Sequence, residues 1–121
     1  MTKKVLIAED EPNIVVSLEF LLEQSGYEIR TVGDGEEALR VASEFRPDLL
    51  LLDIMLPLRN GFQVCQLIRE APELASMKIV MLTAKGRDTE VAKGLAVGAD
   101  AYITKPFATR ELLDTIQRLV P

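Results

Sequence analysis

No tryptophan and no histidine occur in the 121-residue chain, and aromatic residues of every kind make up only 5% of it. A core with so few rings must be filled by Leu, Ile, Val and Ala, and the hydrophobic share of 48% is enough to fill one. An aliphatic core of that kind suits packed layers of sheet and helix. The length fits one compact domain, expected to run over residues 1–121. The single cysteine, Cys65, has no partner for an internal disulfide. It reads as a small apolar side chain in a reducing compartment. Positive charge is also short: 14 Lys and Arg stand against 19 Asp and Glu, a net charge of −5. No direct nucleic-acid binding by this domain is expected, since that needs a basic face. No apolar run is long enough to cross a bilayer. Lys3-Lys4 is followed only by the run Val5 to Ala8 before Glu9, too short for a signal peptide. The expectation is a cytoplasmic protein with no membrane partner.

What the chain does have is an alternation of short apolar runs and amphipathic stretches. Val5 to Ala8, Leu49 to Leu52 and Ile79 to Leu82 are continuous apolar runs of strand length, each ending at a polar residue. Strands of that type are buried on both faces, as in the middle of a parallel sheet. The Leu run alone would also suit a helix, but Pro47 before it and Asp53 after it favour a strand. Tyr27 to Val32 alternates apolar and polar residues and reads as an edge strand with one wet face. Ala101-Tyr102-Ile103 is short and reads as the other edge. Between these lie helical patterns. Residues 13–24 carry Ile14, Leu18, Leu21 and Leu22 and stop at Gly26. Residues 36–45 carry Ala38, Leu39, Val41 and Ala42, and residues 61–70 carry Val64, Cys65, Leu67 and Ile68. Residues 88–97 carry Val91, Ala92, Leu95 and Ala96 and stop at Gly98. Thr109 is expected to cap a last helix bearing Leu112, Leu113, Ile116 and Leu119. Five β–α units with right-handed crossovers give a doubly wound α/β sandwich with a five-stranded parallel sheet.

In such sheets ligands bind beyond the carboxyl ends of the strands. Glu9 and Asp10 follow the first strand, Asp53 the third, Thr83-Ala84 the fourth and Lys105-Pro106 the fifth. Taken singly, each residue has an ordinary reading: Asp10 as a helix cap, Asp53 as a strand-ending loop residue, Thr83 as packing, Lys105 as a solvated lysine, Tyr102 as core. Together they place three carboxylates, a hydroxyl and an ammonium on one rim. Clustered carboxylates raise one another's pKa values, a conflict that a hard dication removes. Mg²⁺ takes octahedral oxygen ligands, keeps several waters and uses one or two carboxylates. Asp10 and Asp53 are the expected direct ligands, Glu9 acts through a water, and the Met55 carbonyl completes the protein's share. A rigidly held Asp53 carboxylate can act as a nucleophile and become an aspartyl phosphate. Phosphoryl transfer asks mainly for positioning and charge neutralisation, to which Lys105 contributes its ammonium and Thr83 its hydroxyl. With no histidine in the chain, the phosphoryl group must come from another protein or a small molecule.

Along essentially its whole length the sequence resembles the response-regulator receiver family of two-component signalling. The resemblance rests on Glu9-Asp10, on Asp53 followed by Leu56-Pro57 and Gly61, on Thr83-Ala84, on Gly98-Ala99-Asp100-Ala101-Tyr102 and on Lys105-Pro106-Phe107. It implies a flavodoxin-like (βα)5 sandwich with strand order 2-1-3-4-5, an order taken from the fold class and consistent with the edge and centre strands read above. It implies that Asp53 is the phosphoacceptor, that Glu9 and Asp10 support Mg²⁺ and that Lys105 contacts the phosphoryl group. It further implies that Thr83 and Tyr102 form a coupled switch and that the Lys105–Pro106 peptide is cis. Two positions depart from the common pattern: Glu9 stands where many members have Asp, and Arg59-Asn60 precede Gly61 where an Asp often does. In this family, residues two beyond the acceptor and two beyond the switch Thr flank the approach of hydrolytic water; here they are Met55 and Lys85. Members that dimerise through the fourth helix, fifth strand and fifth helix place opposite charges there. Here the corresponding residues are Val91, Ala101 and Thr115, with only Glu111 retained, so a monomer or weak dimer is expected. Implied partners are a sensor histidine kinase or histidine phosphotransfer protein, and an output domain or effector protein. The chain would be a stand-alone receiver or one excised from a longer response regulator or hybrid kinase.

Other functions fit less well. A Mg²⁺-dependent phosphohydrolase with an aspartyl nucleophile commonly has a second Asp two residues later, where this chain has Met55. A flavodoxin-like FMN carrier needs a hydroxyl- or glycine-rich phosphate loop after the first strand; Glu9-Asp10-Glu11-Pro12 would repel phosphate. A receiver-shaped interaction module without phosphorylation remains as a third reading, separable only by assay. The expected activity is that of a switch that catalyses only its own phosphorylation and dephosphorylation.

Overall fold

The computed structural model describes residues 2–84 and 88–121. Along them run β1 (Lys4–Ala8), α1 (Pro12–Gln24), β2 (Glu28–Val32), α2 (Gly35–Phe45), β3 (Leu49–Asp53), α3 (Gly61–Glu70), β4 (Lys78–Ala84), α4 (Asp88–Ala96), β5 (Ala101–Lys105) and α5 (Thr109–Leu119). The strands pair in parallel in the order β2-β1-β3-β4-β5. The doubly wound architecture and strand order are those the sequence led to.

Period-two alternation along the central strands sorts their side chains between two cores. Leu50 and Leu52 of β3 join Leu6, Ala8, Ile79 and Met81 beneath α2 and α3. Leu49 and Leu51 join Val5, Ile7, Val80 and Leu82 beneath α1 and α5. All four leucines are fully buried, which is why β3 is an unbroken apolar run. At the edges the pattern loosens: β2 exposes Glu28 and Arg30, and β5 exposes Tyr102.

Local chemistry sets several boundaries. The Asp34 side chain accepts from the Glu37 N–H and so caps α2. Asn60 and Gln63 form a reciprocal capping box that starts α3. The cap expected from Thr109 is absent: Ala108 occupies the N-cap of α5 and makes no side-chain bond, while Thr109 is already helical. Asp10 does not cap α1 either; Glu11 holds that position, and Pro12 supplies a first turn that needs no N–H.

Helix α4 packs differently from the others: of the apolar residues that mark it in the sequence, Ala92, Leu95 and Ala96 are exposed and Val91 is half-buried. The buried residue of this helix is Gly94, where an added Cβ would lie 3.3 Å from Met81 Cγ. The helix docks on β4 through a residue with no side chain, so its own apolar residues turn outward.

Candidate functional site

β1 and β3 are neighbours in the sheet, and their carboxyl ends bring Glu9 and Asp53 side by side. One oxygen from each of Glu9, Asp10 and Asp53 lies within 4.8 Å of the others. Asp53 is 4% exposed and Glu9 1%, whereas Asp10 is open to solvent. The backbone holds both buried acids. Glu9 N–H donates to the Val32 carbonyl at 3.1 Å, and Glu9 Oε2 accepts from the Asp10 and Glu11 N–H groups at 3.1 and 3.3 Å. Asp53 Oδ1 accepts from the Met55 N–H at 3.3 Å.

The loop after Asp53 is shaped by close approach. The Gly61 N–H donates to the Ile54 carbonyl at 2.9 Å, and a Cβ on Gly61 would sit 2.7 Å from the Asp53 carbonyl oxygen. Only glycine allows α3 to begin directly beneath the acceptor. Arg59, expected to add positive charge near the site, is engaged elsewhere: its Nε binds Glu36 Oε1 at 2.7 Å. Met55 is 69% exposed at the mouth of the site. Lys85, the other residue expected to flank water approach, lies outside the described residues.

Lys105 ends β5, the peptide that follows it, to Pro106, is cis, and the side chain is not the solvated lysine that the residue taken singly would suggest. Its side chain is only 16% exposed, with Nζ 2.6 Å from Glu9 Oε1, 3.4 Å from Asp53 Oδ1 and 4.0 Å from Glu11 Oε1. Among the described residues no hydrogen-bond donor is aligned to the buried Glu9 Oε1, so the ion pair with Lys105 is its main support there. Burial is the chief cause that lifts Glu9 to about pKa 7, helped by the Asp53 charge and opposed by Lys105. Burial would depress Lys105, but its close pairing with Glu9 and the Asp53 charge outweigh it and raise its pKa. One ammonium thus serves several carboxylates. Burial of an under-neutralised acid cluster is the condition under which a bound dication is favourable, and the donor set, oxygen only, fits Mg²⁺.

The Glu9 shift has a measurable sign. Between its ordinary value of 4.5 and about 7 the folded protein holds a proton that the unfolded chain has released. Stability therefore declines as pH rises through that window, by on the order of 1–3 kcal/mol from this group. Glu9→Gln should flatten this part of the stability–pH curve in metal-free buffer, measured by urea denaturation. A mutant curve parallel to the wild type from pH 4.5 to 7 would show that Glu9 is ordinary.

Thr83, 2% exposed, stands one strand over from Asp53. Its Oγ1 donates to Glu90 Oε1 of α4 at 3.3 Å. Tyr102 is 47% exposed, pointing off the outer strand rather than into the core. Asp53, Thr83, Glu90, Glu11, Met55 and Lys105 all line one small cleft of about 120 Å³. Of the expected residues Asp53, Met55, Thr83 and Lys105 converge on this cleft and Tyr102 does not line it, while Glu11 and Glu90 are members that the sequence reading gave no role at the site. Both were visible only as acids in or near a first helical turn, where they read as helix-dipole partners.

The comparisons agree with this geometry. The family model for the response regulator receiver domain matches residues 5–117. The alkaline phosphatase synthesis transcriptional regulatory protein PhoP of Bacillus subtilis is 46% identical over 112 residues, covering 93% of this chain. The chain spans only 46% of the length of that relative. The chemotaxis response regulator CheY4 of Vibrio cholerae superposes with a TM-score of 0.93 at 33% identity, covering 99% of this chain and 100% of that one. The receiver domain of a sensor histidine kinase from Pseudomonas aeruginosa, solved with a magnesium ion coordinated in its active-site cleft, superposes with a TM-score of 0.91. It is 31% identical and is covered, like this chain, over 98% of its length.

Proposed function

The chain belongs to the response regulator receiver domain family, and from that premise we propose that it takes a phosphoryl group on Asp53 from a partner phosphohistidine. The observation that carries this reading is the convergence of Glu9, Asp10 and Asp53 with the Lys105 ammonium at one rim of the sheet. The family role is that of a phosphoacceptor switch rather than a turnover enzyme. Asp53 is the nucleophile: its carboxylate oxygen forms a bond to phosphorus as the bond from phosphorus to the donor imidazole breaks. Lys105, already 3.4 Å from Asp53 Oδ1, remains beside the new phosphoryl oxygens and neutralises part of their charge. Glu9, Asp10 and Asp53, with the Met55 carbonyl, would hold Mg²⁺, which supplies the remaining positive charge. Thr83 donates its hydroxyl to a phosphoryl oxygen, and Tyr102 moves inward to fill the space the hydroxyl leaves. That is a two-state packing change which the phosphoryl group need bias by only a few kcal/mol. The changed face is that of α4, β5 and α5, where the output domain or effector binds.

NMR of the labelled protein with Mg²⁺ and beryllofluoride, a phosphoryl mimic, tests this reading. Large shifts are expected at Asp53, Thr83, Tyr102 and Lys105 and along α4. A spectrum unchanged at saturating mimic would rule it out.

The exposed Met55 bears on how long the phosphoryl group persists. Methionine cannot orient a water by hydrogen bonding, and its bulk stands at the mouth of the cleft. Met55→Asn should speed loss of the phosphoryl group, by about tenfold at most. Phosphate release after removal of the donor would show it, and an unchanged or slower rate would refute the role.

A further inference from the structure

Resting on that reading, the geometry points to Glu90 as a positioning residue: we propose that it holds the Thr83 hydroxyl away from Asp53 and competes with the phosphoryl group for it. A threonine hydroxyl has one hydrogen and donates to one acceptor at a time. In this structure that hydrogen is directed to Glu90 Oε1, 3.3 Å away on α4, with the Ala84 carbonyl at 3.5 Å as a marginal second acceptor. The bond has charged character at the acceptor and is partly buried, both of which strengthen it. For Thr83 to serve a phosphoryl oxygen, this bond must break first.

Glu90 also lines the same 120 Å³ cleft as Asp53 and Lys105. The phosphoryl group and Glu90 Oε1 therefore compete for the one Thr83 hydrogen. Glu90 sits in the first turns of α4, a helix that docks through Gly94 with its apolar residues outward. Releasing Thr83 from Glu90 therefore removes one tie between the N-terminal end of α4 and β4 and loosens that end. At its far end the helix stays anchored: the Arg69 side chain of α3 binds the Gly98 carbonyl at 2.8 Å and the Asp100 carboxylate at 2.8 Å, just beyond α4. A helix held at one end and released at the other pivots, which converts one lost hydrogen bond into movement of a surface.

The test is a double-mutant cycle on beryllofluoride affinity in Mg²⁺ buffer, combined with the Thr83 methyl resonance of the unliganded protein. Glu90→Ala should tighten mimic binding about fivefold, the scale of the net contribution of one ordinary hydrogen bond. It should also move the Thr83 methyl signal toward its mimic-bound position before any mimic is added. Glu90→Gln, whose amide oxygen still accepts, should return the methyl signal most of the way to wild type. In a Thr83→Ala background, Glu90→Ala should have no further effect on affinity. Equal tightening with and without the Thr83 hydroxyl would overturn the proposal, as would an unmoved methyl signal or unchanged affinity in Glu90→Ala. Failure of the wild-type protein to bind the mimic at all would instead bring down the phosphoacceptor reading on which the proposal stands.

Discussion

Lys105→Ala should lose beryllofluoride affinity by at least about tenfold, the cost of one charge-assisted contact to an anion, while the protein still folds. The expectation for stability is pH-dependent. The Lys105 ammonium is 2.6 Å from Glu9 Oε1, a buried oxygen with no aligned hydrogen-bond donor among the described residues. At pH 5 Glu9, with a pKa of about 7, is protonated and needs no counter-ion, so removing Lys105 costs little. At pH 8 the wild type holds an ion pair there, and the mutant must either bury an unpaired carboxylate or keep it protonated. Both routes are unfavourable, by on the order of 1–3 kcal/mol. The mutant should therefore melt close to wild type at pH 5 and clearly below it at pH 8. Lysine replaced by alanine with undiminished mimic affinity would show that the ammonium plays no part with the phosphoryl group. A stability loss equal at both pH values would separate Lys105 from Glu9.

The sheet and the composition of the rim were legible because each depends on local pattern. Leu49 to Leu52, set between Pro47 and Asp53, fits a central parallel strand buried on both faces, and a polar stop then lands at the carboxyl end where the site lies. Glu9, Asp10, Asp53, Thr83 and Lys105 follow from counting to those stops. Where Lys105 directs its charge could not be read that way. A four-carbon side chain at a strand end can reach solvent or fold inward, and the choice is made by the Glu9 and Asp53 carboxylates on other strands.

Helix α4 escaped for a related reason. Val91, Ala92, Leu95 and Ala96 have helical spacing, and spacing says that a helix has an apolar face but not that the face is buried. Gly94 decides the docking by bringing the backbone against Met81, and a glycine carries no weight in a hydrophobic pattern. The cap expected from Thr109 failed by one residue, the usual uncertainty of helix ends. The Asp34 and Asn60 caps went unread, although Glu37 and Gln63 stand three positions on from them. Glu90 was not readable, because its partner Thr83 is on β4 and pairs with it only after the chain has folded.

The account as a whole stands on Asp53. Its carboxylate is 4% exposed, held by the Met55 N–H, flanked by Lys105 and grouped with the oxygens of Glu9 and Asp10. Other carboxylates of the cleft lack one of these features: Asp10 is open to solvent, Glu9 is occupied by two backbone N–H groups and Lys105, and Glu11 is exposed. The most direct measurement is intact-mass spectrometry after incubation with acetyl phosphate and Mg²⁺, on the wild type and on Asp53→Asn. The wild type should gain one phosphoryl group per chain, and none in excess EDTA; the mutant should gain none while keeping its fold by circular dichroism. Labelling of Asp53→Asn to the wild-type extent, or labelling of the wild type in excess EDTA, would contradict the account.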